Sequence, residues 1–295
     1  MGTVIVIGNG FDIDLGWHTS YKDFFKEQED RWRTLKTNED DLLNYVFNHA
    51  AENWFDLEKT VYEYCLNRSK SKTTANLAMG DLNTFEDLKK QLVQFVKERS
   101  RKPVNKDSYA YYLLKQYIKE INAESLPNDM HPQLFSFNYT PLNRIAKEIA
   151  PDKSFSYFPI HGTIEKDNCI FGFLDDPQIK GSYRDFQKAM DDNYAPPSLK
   201  PALYDARRII IFGVSMGFID AVYFKDVFEM ISKGGDLKSR TPIPITFVTR
   251  DENSKRDIKH NLQDIGISIQ SLMTNSKVKF LLTSDKIDIK ELDAV

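Results

Sequence analysis

What the chain lacks narrows its chemistry before any motif is read. Only two cysteines occur, Cys65 and Cys169, far apart and outside any CxxC spacing. That excludes a zinc ribbon and a redox dithiol, and leaves two small buried hydrophobes as the simpler reading. Neither sign of charge dominates: 40 basic residues against 43 acidic ones give a net charge of −3. No overall field therefore draws the chain to nucleic acid or to an anionic membrane. No stretch approaches the roughly 20 apolar residues needed to span a bilayer. The amino terminus also lacks a basic region followed by a cleavable apolar segment, so the expected location is cytoplasmic with no membrane partner. Internal repeats, heptad runs and low-complexity segments are missing, as are a P-loop, a nucleophile elbow and HExxH. His18, His49, His131 and His260 show no metal-ligand spacing, and no metal is expected.

The 41% hydrophobic and 28% charged residues are those of a soluble globular protein. A β-branched apolar run, Val4-Ile5-Val6-Ile7, feeds straight into Gly8-Asn9-Gly10-Phe11-Asp12. A strand opening onto a glycine turn is the layout that lets backbone N–H groups approach a phosphate or nucleotide. The full dinucleotide fingerprint is absent, because Ile13 occupies the next glycine slot. No acid ends a second strand about 20 residues on, which argues against a standard dehydrogenase half.

Past the first turn, Ser20-Tyr21-Lys22-Asp23 has capping-box spacing ahead of Phe24 and predicts a helix beginning near Thr19-Ser20. Residues from 30 to 125 read as almost wholly helical. The clearest segments are Thr84–Arg101 and Tyr109–Ile121, the latter with Tyr109, Leu113, Tyr117 and Ile121 at four-residue intervals. Arg68–Thr74 reads as a polar loop, and Arg99–Pro103 as a helix end with solvated charges. After residue 130 the texture changes. Leu134–Phe137, Phe155–Ile160, Cys169–Phe173, Arg208–Phe212, Ile243–Val248 and Val278–Leu282 read as strands. Tyr139–Ile149, Asp220–Ser232 and Asn253–Ile265 read as helices. Strands alternating with helices predict an α/β, Rossmann-like, mostly parallel sheet with helices on both faces and a large helical insertion. The expected division is 1–29 with 126–295 as the nucleotide-binding domain, and 30–125 as the insertion. Asp175–Pro201 has no pattern, and long loops of this kind often serve as lids. The charged tail Lys286–Val295 is expected to fray.

In such a sheet, ligands bind outside the carboxyl ends of the strands. The residues that follow the predicted strands are Gly8-Asn9-Gly10, Asn138, His161-Gly162 and Gly213-Val214-Ser215. If the sheet is parallel, these turns share one edge. Each has an ordinary reading as well: Asn138 as a turn residue satisfying its own backbone, His161 as a hydrogen-bonded core histidine, the glycines as plain turns.

Taken together, Gly8-Asn-Gly-Phe-Asp12, Thr19-Ser-Tyr-Lys-Asp-Phe24, Asn53-Trp-Phe-Asp-Leu-Glu58, Ser136-Phe-Asn-Tyr-Thr140, Ile160-His-Gly162, Ile170-Phe-Gly172 and Phe212-Gly-Val-Ser-Met-Gly217 resemble the AbiH family of phage abortive-infection proteins. That family is similar, more distantly, to sirtuin-like NAD-binding domains. The second resemblance implies that Gly8, Asn9 and Gly10 cradle a pyrophosphate, that Asn138 sits near the nicotinamide ribose and orients water, and that His161 is the general base. It further implies that Gly213 and Ser215 hold the adenosine side, with Phe11 and Gly162 completing the ligand-contacting set. The chain departs from the sirtuin-like pattern at Thr140, where an aspartate is usual, and at Phe11-Asp12, which implies a reshaped nicotinamide pocket. Asp12 or Glu58 could supply the missing acid; alternatively Asp12 caps a helix and Glu58 is an exposed helix charge. Without zinc cysteines, protein deacylation is not expected.

The resemblance thus implies an antiphage effector that binds and hydrolyses NAD or a related nucleotide, set off by a phage or host trigger and able to form a homo-oligomer. The rival expectations are a sensor that binds an ADP-ribose-like ligand without turnover, and an enzyme on another nucleotide with Asp12 and His161 as acid and base.

Overall fold

A six-stranded sheet dominates the computed structural model, which describes residues 2–35, 41–49, 56–71, 75–127, 130–195, 198–234, 242–285 and 292. Residues 53–55, 72–74 and most of the expected tail lie outside the described residues. The chain divides into two compact units. The first is Met1–Trp17 with Lys102–Ile160 and Pro196–Val295; the second is His18–Arg101 with His161–Ala195.

The first unit carries β1 (Thr3–Ile7), β2 (Gln133–Ser136), β3 (Phe158–Pro159), β4 (Arg208–Phe212), β5 (Pro244–Thr249) and β6 (Lys277–Leu282), all parallel, in the order β3-β2-β1-β4-β5-β6. This is the Rossmann-like strand order, whose reversal point lies between β1 and β4. The apolar runs serve both faces of the sheet at a period of two. Val4, Val6, Ile209, Ile211 and Phe247 meet Leu203 of α8 (Leu199–Asp205), Phe224 and Phe228 of α9 (Phe218–Ser232) and Leu262 of α10 (Glu252–Asp264). Ile5, Ile7, Ile210 and Phe212 meet Phe11 of α1 (Asn9–Asp14), Leu113 and Tyr117 of α6 (Tyr109–Ile121) and Ile145 of α7 (Leu142–Ile149). α11 (Ile269–Asn275) precedes the edge strand β6, whose Lys277 and Lys279 blunt its open side.

The second unit holds α2 (Tyr21–Leu35), α3 (Leu42–His49), α4 (Leu57–Ser69), α5 (Ala75–Arg99) and 3-10 helices at Gly181–Phe186 and Lys188–Met190. The Ser20 hydroxyl accepts the Asp23 N–H, so the expected cap of α2 is present. Phe24 packs edge-on to Trp32 and tilted to Phe95, while Phe85 stacks on Phe171. Asp81 of α5 accepts from the hydroxyls of Tyr64 and Tyr183 and from the Leu42 N–H, tying α3, α4, α5 and the first 3-10 helix together. Helix α6, inside the expected insertion, belongs to the first unit, and 161–195 to the second.

Several expected elements differ. Cys169–Phe173 forms no strand: among the described residues it has a single bridge, from Phe173 to Gln187, and a backbone bond from the Ile170 N–H to the His161 carbonyl. It is apolar because Cys169, Ile170, Phe171 and Phe173 are all buried, not because it pairs. The strand at Phe155–Ile160 contracts to two residues at the sheet edge, where Pro159 has no N–H to give to a ladder. The helix expected from Tyr139 begins at Leu142, because Pro141 is its extended N-cap and disfavours helical backbone in the residue before it. The long helix begins at Ala75 rather than Thr84. Asp175–Pro201 is no open lid over its described residues: Tyr183, Phe186, Gln187 and Lys188 are buried within it. Among the described residues, no helix is long and apolar enough to cross a membrane.

Candidate functional site

At the reversal point of the first unit, the turns after β1 and β4 press against each other. The Gly8 N–H donates to the Phe212 carbonyl and the Gly10 N–H to the Gly213 carbonyl, each at 2.9 Å. A β-carbon on Gly10 would sit 2.5 Å from the Gly213 α-carbon, and one on Gly213 would sit 2.3 Å from the Phe11 nitrogen. Gly213 also has a φ of +69°. Glycine is required here for backbone-to-backbone approach. Gly8 caps α1, a short helix where the glycine pattern predicts only a turn, and half-buried Asn9 is its first residue. Phe11 is buried edge-on against Phe212, its ring serving the core.

Asp12 follows on α1 and is 1% exposed. Its Oδ1 accepts from Asn138 Nδ2 at 2.9 Å and from the Thr140 hydroxyl at 3.1 Å. It is thus no helix cap, and the position that departs from the sirtuin-like pattern contributes a donor to it. Asn138, just past β2, gives its second amide hydrogen to the Gly8 carbonyl at 2.9 Å, and its backbone N–H bonds to the Ser136 hydroxyl. Both partners of Nδ2 are pure acceptors, so the amide nitrogen must face them. The amide oxygen is thereby turned the other way, with no partner among the described residues. Asp14, the last residue of α1, accepts the Ala110 N–H at 2.7 Å, which fixes α1 against the start of α6. Burial pushes its carboxyl up, against the pull of the Ala110 and Tyr109 N–H groups. Beyond β4, Ser215 is exposed; its hydroxyl accepts the Gly217 N–H and its carbonyl accepts from Asn261. Buried Met216 holds a φ of +56°, an uncommon conformation for a side-chain-bearing residue.

The structure therefore assembles Gly8, Gly10, Asp12, Asn138, Thr140 and Gly213 in one unit. His161 and Gly162 belong to the other. There, His161 is 4% exposed and its Nε2 lies 3.1 Å from Lys188 Nζ. Lys188, fully buried, also lies 3.2 Å from both carboxylate oxygens of Glu58, and Glu58 Oε1 accepts the Gly172 N–H. Glu58 is therefore no exposed helix charge. Gly162, at a φ of +73°, leaves room for the Asn168 carbonyl, which a β-carbon would meet at 2.0 Å. Among the described residues, no group of three or more His, Cys, Asp or Glu side chains could hold a metal ion.

These motif stretches are also where the comparison with known families falls. The model described as "Bacteriophage abortive infection AbiH" matches residues 4–236. The chain belongs to the AbiH family. Membership carries a role in bacteriophage abortive infection. Comparison with curated proteins returns no match. Within this AbiH chain, two residues of the buried networks were not singled out as site residues by their sequence: Thr140, which read as a departure, and Lys188, which lies in a stretch without periodicity. No local signal marks Lys188, whose partner Glu58 is 130 residues away.

Proposed function

We propose that the first unit binds NAD or a related nucleotide at the reversal point of its sheet and hydrolyses the nicotinamide–ribose bond, depleting the nucleotide in the infected cell. The observation that supports this is the orientation of Asn138. Its amide donors are spent on Asp12 and the Gly8 carbonyl, so the amide oxygen is left as an acceptor for a water or a ribose hydroxyl. Donation to a buried carboxylate also polarises the amide and strengthens that acceptor. Breaking the nicotinamide bond builds positive charge on the ribose carbon. The reaction thus needs a positioned water more than acid help at the leaving group. The water oxygen bonds to that carbon, nicotinamide leaves with the electron pair of the old bond, and the water's proton passes to solvent.

The test is incubation of the pure protein with NAD and quantification of free nicotinamide. Release is expected, falling about 100-fold or more in Asn138→Ala, the size of losing a preorganised hydrogen-bonding group. Release that survives Asn138→Ala removes this residue from the mechanism. The absence of both nicotinamide release and heat protection by NAD overturns the reading. A second reading, binding without turnover, is favoured by one observation: Nε2 of His161, the base implied by the sirtuin-like resemblance, is already engaged by Lys188. Protection by NAD without nicotinamide release would decide for it.

A further inference from the structure

We propose that Lys188 is a positioning residue that fixes His161 as the neutral ring with its proton on Nδ1, a hydrogen-bond donor whose Nε2 is closed to base chemistry. The inference concerns the second unit and does not depend on which nucleotide, if any, the first unit takes.

The argument runs through the donors and acceptors of three side chains. Glu58 accepts on Oε1 from the Gly172 N–H, and both its oxygens lie 3.2 Å from the Lys188 nitrogen. The two groups form an ion pair, and an ionised carboxylate has acceptor capacity for both the ammonium and the Gly172 N–H. Beside it, a fully buried amine is held as the ammonium, because a neutral amine there would leave the carboxylate charge uncompensated. An ammonium has three donors and no acceptor. The contact of 3.1 Å to His161 Nε2 is therefore a hydrogen bond from lysine to histidine, and Nε2 must offer a lone pair. A neutral imidazole carries one proton, which leaves it on Nδ1. Protonating the ring would break this bond and set two cations side by side.

Glu58 is committed to Lys188, and Asp56, at the start of α4, also feels the Lys188 charge. Lys89 on α5 pairs with Asp191 at 2.6 Å. Lysine rotamers are anchored too: the Lys188 backbone N–H donates to the Phe173 carbonyl at 2.7 Å, so its stem is held at both ends. The base role implied by the sirtuin-like resemblance would require the bond to Lys188 to break first.

Long-range proton–nitrogen correlation spectra of the histidine rings in the full, nitrogen-15-labelled chain test this without reference to activity. From about pH 5.5 to about 8, His161 is expected to show the neutral Nδ1–H pattern without titrating, where an ordinary histidine passes through its midpoint near 6.5. In Lys188→Met, Nε2 is released and the ring is expected to titrate within that range. An Nε2–H pattern, or a midpoint near 6.5 in the unmodified chain, overturns the proposal, and that spectrum suffices if the variant does not fold. An unchanged pattern in folded Lys188→Met also overturns it, since something other than Lys188 would then set the ring.

Discussion

Asp12 in the first unit and Glu58 in the second are both buried carboxylates, 1% and 5% exposed, yet they are held by different chemistry. Asp12 accepts from an amide and a hydroxyl, Glu58 from an ammonium and a backbone N–H. An amide that donates keeps an acceptor of its own, so the network around Asp12 extends outward to the Asn138 oxygen. An ammonium has nothing left to offer once its donors are placed, so Lys188 spends its own on Glu58 and on His161 Nε2 and keeps no acceptor. The first arrangement suits a place where a ligand hydroxyl or water is to be received. The second suits a cluster that fixes the state of its own members. Helix caps show the same contrast. Asp251 caps α10 in the first unit, and the Ser254 N–H it accepts draws its carboxyl down to about 2. Asp56 caps α4 in the second, and burial pushes its carboxyl up.

The largest test of the comparison is to break the charged network. Lys188→Met, which keeps much of the side-chain volume, strands a buried carboxylate and is expected to cost about 3–5 kcal/mol in urea denaturation. Adding Glu58→Gln, which removes the stranded charge but keeps an acceptor for Gly172, should recover more than half of the loss. A single-variant cost near zero would mean the pair is not ionised as described.

A smaller effect separates the glycines of the two units. Gly10→Ala forces a β-carbon to 2.5 Å from the Gly213 α-carbon, and overpacking of this sort is expected to cost about 3 kcal/mol. Gly80→Ala, in α5 of the second unit with nothing within 4 Å of the new carbon, should stabilise by about 0.5–1 kcal/mol through helix propensity. Thermal or urea midpoints moving in the same direction for both would refute the assignment of Gly10 to backbone packing.

The smallest is a pH effect at the Asp251 cap. Its folded pKa lies below the unfolded 3.8, so the stability it adds is present above about pH 4 and is lost as pH falls towards 2. Asp251→Asn keeps the cap geometry without the titration and should flatten the stability curve across that interval. The Asp56 carboxyl is shifted the other way, so Asp56→Asn should not flatten that acid limb. Urea midpoints between pH 2 and 5 check both.

How much of this was readable follows from how far each interaction reaches along the chain. Arg208–Phe212 and Tyr109–Ile121 coincide with their observed elements because hydrophobic period and capping act over a few residues. Cys169–Phe173 misled because burial without pairing has the same composition as a strand. The helix expected from Tyr139 starts at Leu142, because Pro141 disfavours helical backbone in the residue before it. Asn138 was legible as a candidate from its place after a strand, but its partner Asp12 lies 126 residues away. Nothing local says which way an amide will turn.

The sequence by itself determined the parallel α/β sheet, the places where glycine turns leave it, and family membership, since alternating β-branched runs, turns and ordered motifs are all local patterns. Only the tertiary structure decided that Gly10 and Gly213 pack on each other, that Thr140 and Asn138 both serve Asp12, and that Lys188 reaches Glu58 and His161 from a stretch without pattern. The reason is physical. Burying a carboxylate demands a partner but does not specify where in the chain it comes from, and the fold alone chooses which donor arrives.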